Sequence, residues 1–207
     1  MTALPQPSGS ADRVRRAYAA RTDEYVALLG SVAEMPSPDR KLIESWSRGI
    51  TGPALDAGCG PGHWTAFLHD RGVSVEGVDL VPEFIAGARR RFPHVSYRVA
   101  DLDDLPVPDG SLAALLSWYS VIHTPPEQVG RHLAEFARGL GPGGSLLIGF
   151  FEGPAVAAFD HAVVTAYFWP VEAMGRELAA AGFEVIETHT RADPGHRPHA
   201  AVLARRL

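Results

Sequence analysis

The stretch Leu55-Asp-Ala-Gly-Cys-Gly-Pro-Gly62 decides the fold, because it places a glycine-rich turn directly after a short apolar strand, Ala54-Leu-Asp-Ala57. Gly58, Gly60 and Gly62 give this turn a backbone without Cβ atoms, so a ligand can lie against it. In a doubly wound α/β sheet, ligands bind at the carboxyl ends of the strands, where the strand order reverses. The stretch therefore predicts the first strand and the ligand-binding turn of such a sheet.

Strand-like and helix-like segments alternate regularly after this turn. We predict four further strands before the C-terminal pair, over 73–78, 95–99, 112–118 and 145–151. Such alternation favours a parallel sheet with helices on both faces. The last two strands, 183–188 and 199–204, are joined by a loop too short for a crossover helix, so they must pair antiparallel. The predicted fold is a doubly wound, mostly parallel, seven-stranded Rossmann-like α/β sheet with an antiparallel C-terminal strand.

The remaining segments give the domain organisation. Residues 1–12 are predicted to be a flexible tail, and residues 13–50 an N-terminal helical cap that begins with an amphipathic helix from Asp12 to Leu29. Residues 51–207 form a single Rossmann-like domain with a lid insertion at about 152–170. This insertion is rich in aromatic residues, which would exclude water from a site, although a helical insertion that buries its own aromatics fits the sequence equally well.

Composition excludes several classes of protein. The chain has 207 residues, of which 46% are hydrophobic and 21% charged, as in ordinary globular domains. The lone Cys59 cannot form an internal disulfide and is expected to be a small buried residue without a nucleophilic role. The net charge of −5 does not indicate the basic surface that nucleic-acid binding requires. We find neither a secretory signal nor a run of 18 apolar residues, so we expect a cytoplasmic protein with no membrane partner.

Carboxylates follow the glycine turn at the ends of successive strands. Asp79 lies 21 positions beyond Gly58 and could accept both hydroxyls of a ribose. Asp101 closes the third strand, where its side chain and the next amide could reach the edge of an adenine. Asp56, just before the glycines, could hold an ammonium group or steer the turn. The alternative role of each aspartate is a helix cap or a turn former.

The turn departs from the dinucleotide-binding pattern G-x-G-x-x-G. His63 occupies the place of the third glycine, and Pro61 within the turn has no amide to offer a pyrophosphate. The pattern therefore disfavours a nicotinamide-dependent reductase and suits a nucleoside ligand without phosphates.

Four segments together resemble the motif series of the class I S-adenosylmethionine-dependent methyltransferases: Leu55–Gly62, Gly77-Val-Asp-Leu80, Asp101-Leu-Asp-Asp-Leu105 and Leu140-Gly-Pro-Gly-Gly144. The resemblance implies that Gly58 and Gly60 pass under the methionine part of S-adenosylmethionine, and that Asp79 binds the ribose. It implies that an N-terminal tyrosine pair covers the cofactor, although two core aromatics on one helix face fit equally well. The predicted cofactor-binding residues are Tyr18, Tyr25, Asp56, Ala57, Gly58, Gly60, Asp79, Leu80, Asp101, Leu102 and Trp118.

The fourth strand runs into Trp118-Tyr-Ser-Val-Ile-His123, a loop expected at the ligand edge. His123 is the candidate general base, because an imidazole titrates near neutral pH; a structural histidine that holds the loop is the alternative. The predicted substrate-binding residues are Tyr119, His161, Tyr167 and Trp169. We predict no metal site, and we interpret His189, His196 and His199 as solvated surface residues.

The sequence therefore predicts an S-adenosylmethionine-dependent methyltransferase that acts on a small-molecule acceptor by in-line transfer, with S-adenosylhomocysteine as product. It is expected to be a monomer or homodimer without a nucleic-acid partner. The alternative is a non-catalytic S-adenosylmethionine-binding regulatory or partner module.

Overall fold

The structure is a computed structural model that describes residues 9–207, except for the side chains of Ser10, Asp23 and residues 27–29. Residues 1–8 of the predicted flexible tail therefore lie outside the described residues. Residues 9–12, which we included in that tail, are helical, because the first helix begins at Gly9.

Three helices precede the sheet: α1 (Gly9–Ala19), α2 (Thr22–Leu29) and α3 (Ser37–Ser47). The one long helix expected after Asp12 is thus broken in two at residues 20–21, and a single 3₁₀ turn, Val32–Glu34, follows it. Helix α3 buries Ile43 and Trp46 against the sheet, and the Trp46 indole donates a hydrogen bond of 2.8 Å to Ser145 Oγ. The cap is therefore attached to the body through α3.

The strands and the later helices follow in chain order. The strands are β1 (Ala54–Ala57), β2 (Val75–Asp79), β3 (Ser96–Val99), β4 (Leu112–Trp118), β5 (Leu140–Glu152), β6 (Ala157–Phe159), β7 (Ala166–Trp169), β8 (Phe183–Arg191) and β9 (His199–Arg206). The helices are α4 (His63–His69), α5 (Pro82–Arg91), α6 (Pro126–Gly139) and α7 (Val171–Ala180).

The doubly wound, mostly parallel sheet is confirmed. Strands β1 to β5 are parallel in the order β3-β2-β1-β4-β5, so the strand order reverses between β1 and β4. Strand β9 pairs antiparallel with β5 and with β8, as expected for the C-terminal pair. The connection between β3 and β4, residues 100–111, contains no helix.

The predicted insertion at 152–170 is a β-hairpin, not a helical segment, and it adds two strands to the seven expected. Strand β4 pairs with β5 as far as Gly149, and β7 then pairs with β5 at Phe151 and Glu152. Because β9 occupies the other side of β5 through Phe151, the β6–β7 hairpin must continue on the side of β4. The hairpin therefore extends the sheet beyond the carboxyl end of β4.

Buried apolar residues cover both faces of the sheet. One cluster joins the sheet to α6 and α7 through residues such as Leu133, Phe136 and Leu178, and a second joins it to α3 and α4. These two layers fix the carboxyl ends of β1, β2 and β4 side by side. No helix in the described residues has the length and apolar character that a membrane span requires.

Candidate functional site

A cavity of about 140 Å³ lies at the carboxyl ends of β1 to β4. It is lined by the N-terminal helices, the glycine turn, the ends of β2 and β3, and the loop after β4. Of the residues that the sequence singled out, those in the lining are Tyr18, Tyr25, Gly58, Gly60, Asp79, Leu80, Asp101, Leu102, Trp118, Tyr119 and His123. Residues separated by more than 100 positions in the chain therefore meet around one space.

The glycine turn combines close packing with open space. Gly58 and Gly60 have φ of 81° and 50°, in the left-handed region that glycine adopts most readily. A Cβ on Gly58 would lie 2.2 Å from the Cβ of Ser120, whereas a Cβ on Gly60 would have no neighbour within 4 Å. Gly58 is therefore required for packing against the loop after β4, and Gly60 leaves room for a ligand over bare backbone.

Asp79 is the carboxylate at the end of β2, and it is buried at the wall of the cavity. Its Oδ2 accepts a hydrogen bond from the Gly60 amide at 2.8 Å, and its Oδ1 accepts one from the Val81 amide at 2.9 Å. Burial raises the pKa of Asp79 to about 6, although the backbone amides act to lower it. Each carboxylate oxygen retains acceptor capacity for a hydroxyl group of a ligand.

Asp101 follows the end of β3 and lines the same cavity as Asp79. Its Oδ1 accepts a hydrogen bond from the Asp103 amide at 3.1 Å, which fixes the bend that exposes Leu102 to the cavity. Asp103 lies 2.8 Å from His132 and pairs with Arg131 at 2.7 Å, so α6 holds this bend; Asp103 and His132 also line the cavity. The two aspartates thus share one cavity.

Asp56 and Ala57 lie elsewhere than expected, since neither is in the cavity lining. The Asp56 side chain is buried and turned towards α4, where its Oδ2 accepts a 2.7 Å hydrogen bond from the Thr65 hydroxyl. Burial raises the pKa of Asp56 to about 7. In this structure the Asp56 side chain therefore attaches β1 to α4 and does not line the cavity.

Tyr18 and Tyr25 form an aromatic cover with Phe84 of α5. The two tyrosine rings meet edge to face with centroids 5.2 Å apart, and both contact the Phe84 ring. Burial raises the pKa of Tyr25 to about 12 and that of Tyr18 well above its usual value. Both phenols are therefore neutral at physiological pH.

His123 links this cover to the insertion. Its Nδ1 lies 2.9 Å from the Thr165 carbonyl oxygen, so Nδ1 must carry the proton and donate it. Its Nε2 then accepts a hydrogen bond of 2.8 Å from the Tyr18 hydroxyl. Burial lowers the pKa of His123, which keeps the imidazole neutral. Because Tyr18 occupies the Nε2 lone pair, His123 can act as a base only after Tyr18 moves.

Tyr119 has an unusual backbone conformation where β4 ends. Its φ of 58° is left-handed, which is costly for a non-glycine residue. The conformation is held by the bond from its amide to the Gly149 carbonyl (3.0 Å) and by a hydrogen bond between its hydroxyl and His199 Nδ1. His199, which we expected to be a solvated surface residue, is thus half-buried beside the cavity. No pattern around His199 indicated this, because its position depends on how β9 pairs with β5.

The other insertion residues divide into two groups. The His161 ring lies 5.1 Å from that of His123, beside the cavity, and burial lowers the pKa of His161 to about 4. Trp169 is 3% exposed and belongs to the hydrophobic core, so it is not on the cavity wall. Tyr167 packs against the same core, and its amide donates a bond to the Ile122 carbonyl. Tyr167 and Trp169 therefore support the hairpin.

Other residues that could be reactive or could bind a metal lie outside the cavity lining. Cys59 is buried, and burial raises the pKa of its thiol, which keeps it protonated. Among the described residues, one group of possible metal ligands, His69, Asp70 and His94, has its ligand atoms within 4.8 Å of one another. None of these three residues lines the cavity.

Arg91, the last residue of α5, contacts both the N-terminal cap and the glycine turn. It donates hydrogen bonds to the carbonyl oxygens of Gly30 and Pro61. It therefore connects the N-terminal cap to the glycine turn from behind.

Comparison with known proteins agrees with this geometry. Residues 54–144 match the family described as "Methyltransferase domain". The demethylmenaquinone methyltransferase of Beutenbergia cavernae is 33% identical over 106 residues, which cover 51% of this chain and 43% of that protein. The first curated relatives are thus matched over less than half of their own length.

Two solved structures share the fold over nearly the whole chain. The Burkholderia thailandensis 1,6-didemethyltoxoflavin-N1-methyltransferase, solved with 1,6-didemethyltoxoflavin and S-adenosylhomocysteine, superposes with a TM-score of 0.81 at 23% identity and covers 100% of this chain and 92% of its own. The [4+2]-cyclase SpnF superposes at 0.79 with 19% identity and covers 99% of both chains. The motif series, the domain match over residues 54–144 and the shared fold together support a class I S-adenosylmethionine-dependent methyltransferase.

Proposed function

We propose that this protein is an S-adenosylmethionine-dependent methyltransferase that acts on a small-molecule acceptor by in-line methyl transfer. One observation carries the proposal: a single cavity joins the open backbone at Gly60 to Asp79 and Asp101, under the rings of Tyr18 and Tyr25. These groups suit an adenosine without phosphates, because hydroxyl acceptors and apolar walls surround a turn that contains Pro61.

The residues present fit S-adenosylmethionine. The space over Gly60 admits the methionine part, Asp79 can accept ribose hydroxyls, and Asp101 with Leu102 can flank the adenine. When bound, the cofactor supplies a methyl group already activated by a positively charged sulfur. The protein must then align the acceptor and exclude water, and alignment alone can contribute roughly 7–11 kcal/mol.

The chain's own residues can perform these tasks. Tyr18 and Tyr25 cover the cavity, and their ring faces favour a nearby cation. Tyr119 and His161 are the candidate acceptor contacts, because Tyr119 lines the cavity and His161 lies next to His123. If the acceptor carries a proton, His123 Nε2 is the candidate to receive it once Tyr18 has turned away.

A small-molecule acceptor is supported by the relatives. The Beutenbergia cavernae protein is named for demethylmenaquinone, and the Burkholderia thailandensis structure contains 1,6-didemethyltoxoflavin. A cytoplasmic location, the lack of a nucleic-acid partner and a monomeric or dimeric state belong to the same proposal. The acidic net charge and the small N-terminal cap support the lack of a nucleic-acid partner.

Calorimetric titration with S-adenosylhomocysteine tests the cofactor site. We expect the wild-type protein to bind it, and Asp79→Asn to weaken binding by about 1–3 kcal/mol, because one buried acceptor of the ribose hydroxyls is impaired. Asp104→Asn, at an exposed aspartate outside the cavity lining, should bind like the wild type. The proposal fails if the wild-type protein shows no binding at about 1 mM ligand.

The alternative function is a non-catalytic cofactor-binding module. Its supporting observation is that both nitrogens of His123 are already hydrogen-bonded. The similarity to a cyclase adds that this fold is not tied to one reaction. Such a module would bind S-adenosylhomocysteine but form none from S-adenosylmethionine with any acceptor, so release of the demethylated product separates the two functions.

A further inference from the structure

A recess next to the cofactor cavity meets it at Tyr119. It is lined by Phe151, Gly195, His196, Arg197 and His199. The Tyr119 ring lies 5.1 Å from the Phe151 ring, and its hydroxyl is hydrogen-bonded to His199. Because Tyr119 lines the cofactor cavity and contacts Phe151 and His199 of the recess, its side chain lies between the two spaces. A molecule in the recess would therefore be one side chain away from the cofactor cavity.

Phe151 lines the recess, and other aromatic rings pack around it. This ring is half-buried, with Phe159 edge to face at 5.4 Å and His199 tilted at 5.5 Å. His161 lies 6.0 Å from the same ring and 5.1 Å from His123 of the cofactor cavity. Phe159 is in turn stacked on Phe168 at 4.1 Å, which fixes the wall from behind. Such rings favour contact with a planar, unsaturated ligand.

The recess also carries a positive charge, the guanidinium of Arg197. The Arg197 guanidinium lies 4.7 Å from the centre of the Phe159 ring and donates one hydrogen bond, 3.1 Å long, to the Asp160 carbonyl oxygen. Within the part of the chain that is described, Arg197 has no ion pair, whereas Arg191 at the end of β8 is paired with Asp39 and Asp193. The N–H groups that remain on Arg197 can therefore bind an anion, and a carboxylate matches their geometry.

We propose that this recess is the acceptor subsite, and that the acceptor is a planar aromatic molecule bearing a carboxylate. The ring lies against Phe151 and the carboxylate binds Arg197, while the atom to be methylated points past Tyr119 towards the cofactor cavity. This assignment rests on the proposed methyltransferase function. It adds Phe151, Arg197 and His199 to the acceptor contacts.

Binding of two matched probes tests the assignment. The probes are 3,4-dihydroxybenzoate and the neutral 3,4-dihydroxybenzyl alcohol, each titrated by calorimetry into protein saturated with S-adenosylhomocysteine. We expect the wild-type protein to bind the benzoate about tenfold more tightly, as one exposed arginine–carboxylate contact allows. Arg197→Gln should reduce this preference to less than about twofold. Arg176→Gln removes the same charge from an exposed site on α7 and should preserve the preference.

Three outcomes would overturn the proposal: equal binding of both probes by the wild-type protein, binding of neither, or a preference that survives in Arg197→Gln. Titration of S-adenosylhomocysteine alone into the wild type and Arg197→Gln separates this failure from failure of the proposed function. Equal cofactor binding in both proteins with no benzoate preference rejects only the subsite. If S-adenosylhomocysteine does not bind, the proposed function fails. Titration of the benzoate into the protein without S-adenosylhomocysteine then still tests whether the recess binds it.

Discussion

At Asp79, the same carboxylate that holds the glycine turn is the candidate acceptor of the ribose hydroxyls. Because burial raises the pKa of Asp79 to about 6, the carboxylate loses its charge, and part of its acceptor capacity, as the pH falls through 6. We expect the dissociation constant of S-adenosylhomocysteine to be constant between pH 7 and 8. Below pH 6 it should rise by up to about tenfold per pH unit. Asp79→Asn should give a flat profile, and an equally flat wild-type profile would contradict this role.

Asp56 gives a different prediction, because its burial affects stability and not ligand binding. Burial raises its pKa to about 7, whereas the unfolded chain releases this proton near pH 4. The folded state is therefore favoured at low pH, and this advantage is lost as the pH rises through 7. Between pH 5 and 8, Asp56→Asn should gain about 2–3 kcal/mol in unfolding free energy relative to the wild type.

Urea unfolding of both proteins at the two pH values measures this difference. The exposed Asp104→Asn variant serves as the control and should show no such change between pH 5 and 8. A difference between Asp56→Asn and the wild type that is the same at both pH values would show that Asp56 is ionised in the folded protein.

The contrast between Asp56 and Asp79 shows what the sequence alone could not resolve. Both aspartates lie at or near the end of a predicted strand, and the position of Asp79 at the sheet edge followed from the strand order. Successive side chains of a strand point to opposite faces, so a shift of one residue at a strand end decides whether a carboxylate meets the ligand or a helix. The turn of Asp56 towards Thr65 depends on where α4 packs.

At the scale of elements, the contact between Tyr18 and His123 joins helix α1 to the loop after β4, and the Thr165 carbonyl joins the same histidine to the hairpin. We expect Tyr18→Phe, His123→Ala and the double variant to show a coupling energy of about 1 kcal/mol in cofactor-product binding. Trypsin, which cleaves after arginines such as Arg13 and Arg21, should cut each single variant faster than the wild type. Additive effects in the cycle would mean that the contact does not hold the cover closed.

The hairpin is the element that sequence patterns missed. The two strand segments within residues 157–169 are short and rich in aromatic residues. Periodicity in such short segments does not distinguish a strand from a buried helix. The hairpin forms because β5 continues three residues beyond its last partner in β4, which leaves hydrogen-bonding groups for β7. The pairing of β7 with the end of β5 depends on segments that are far apart in the chain, so no local sequence pattern could predict it.

For the whole molecule, ligand binding should raise the thermal stability. A ligand that binds only the folded state at 100 times its dissociation constant adds about 2.7 kcal/mol. For a chain of this size, we expect the unfolding temperature to rise by about 5–10 °C with S-adenosylhomocysteine. Adenosine diphosphate, which presents a pyrophosphate to a turn containing Pro61, should give a smaller shift. An equal shift with both ligands would indicate an ordinary nucleotide site.

Alternation of strand and helix patterns was enough to predict the parallel sheet, its antiparallel C-terminal strand and the edge at which ligands bind. The place of His199 was not predictable in this way. It reaches Tyr119, 80 positions earlier, only because β9 pairs with β5 in a register that sets His199 opposite Phe151. Register between distant strands follows from packing of the complete core.

The position of β5 divides the chain into two functional parts. Most residues that surround the adenosine site precede this strand, whereas the aromatic and cationic walls of the recess follow from its carboxyl end onwards. A chimaera joined within the buried segment Leu146–Phe150 would therefore combine the cofactor half of one family member with the acceptor half of another. Exchange of the C-terminal third between relatives should change which compound is methylated, and it should leave binding of the cofactor unchanged.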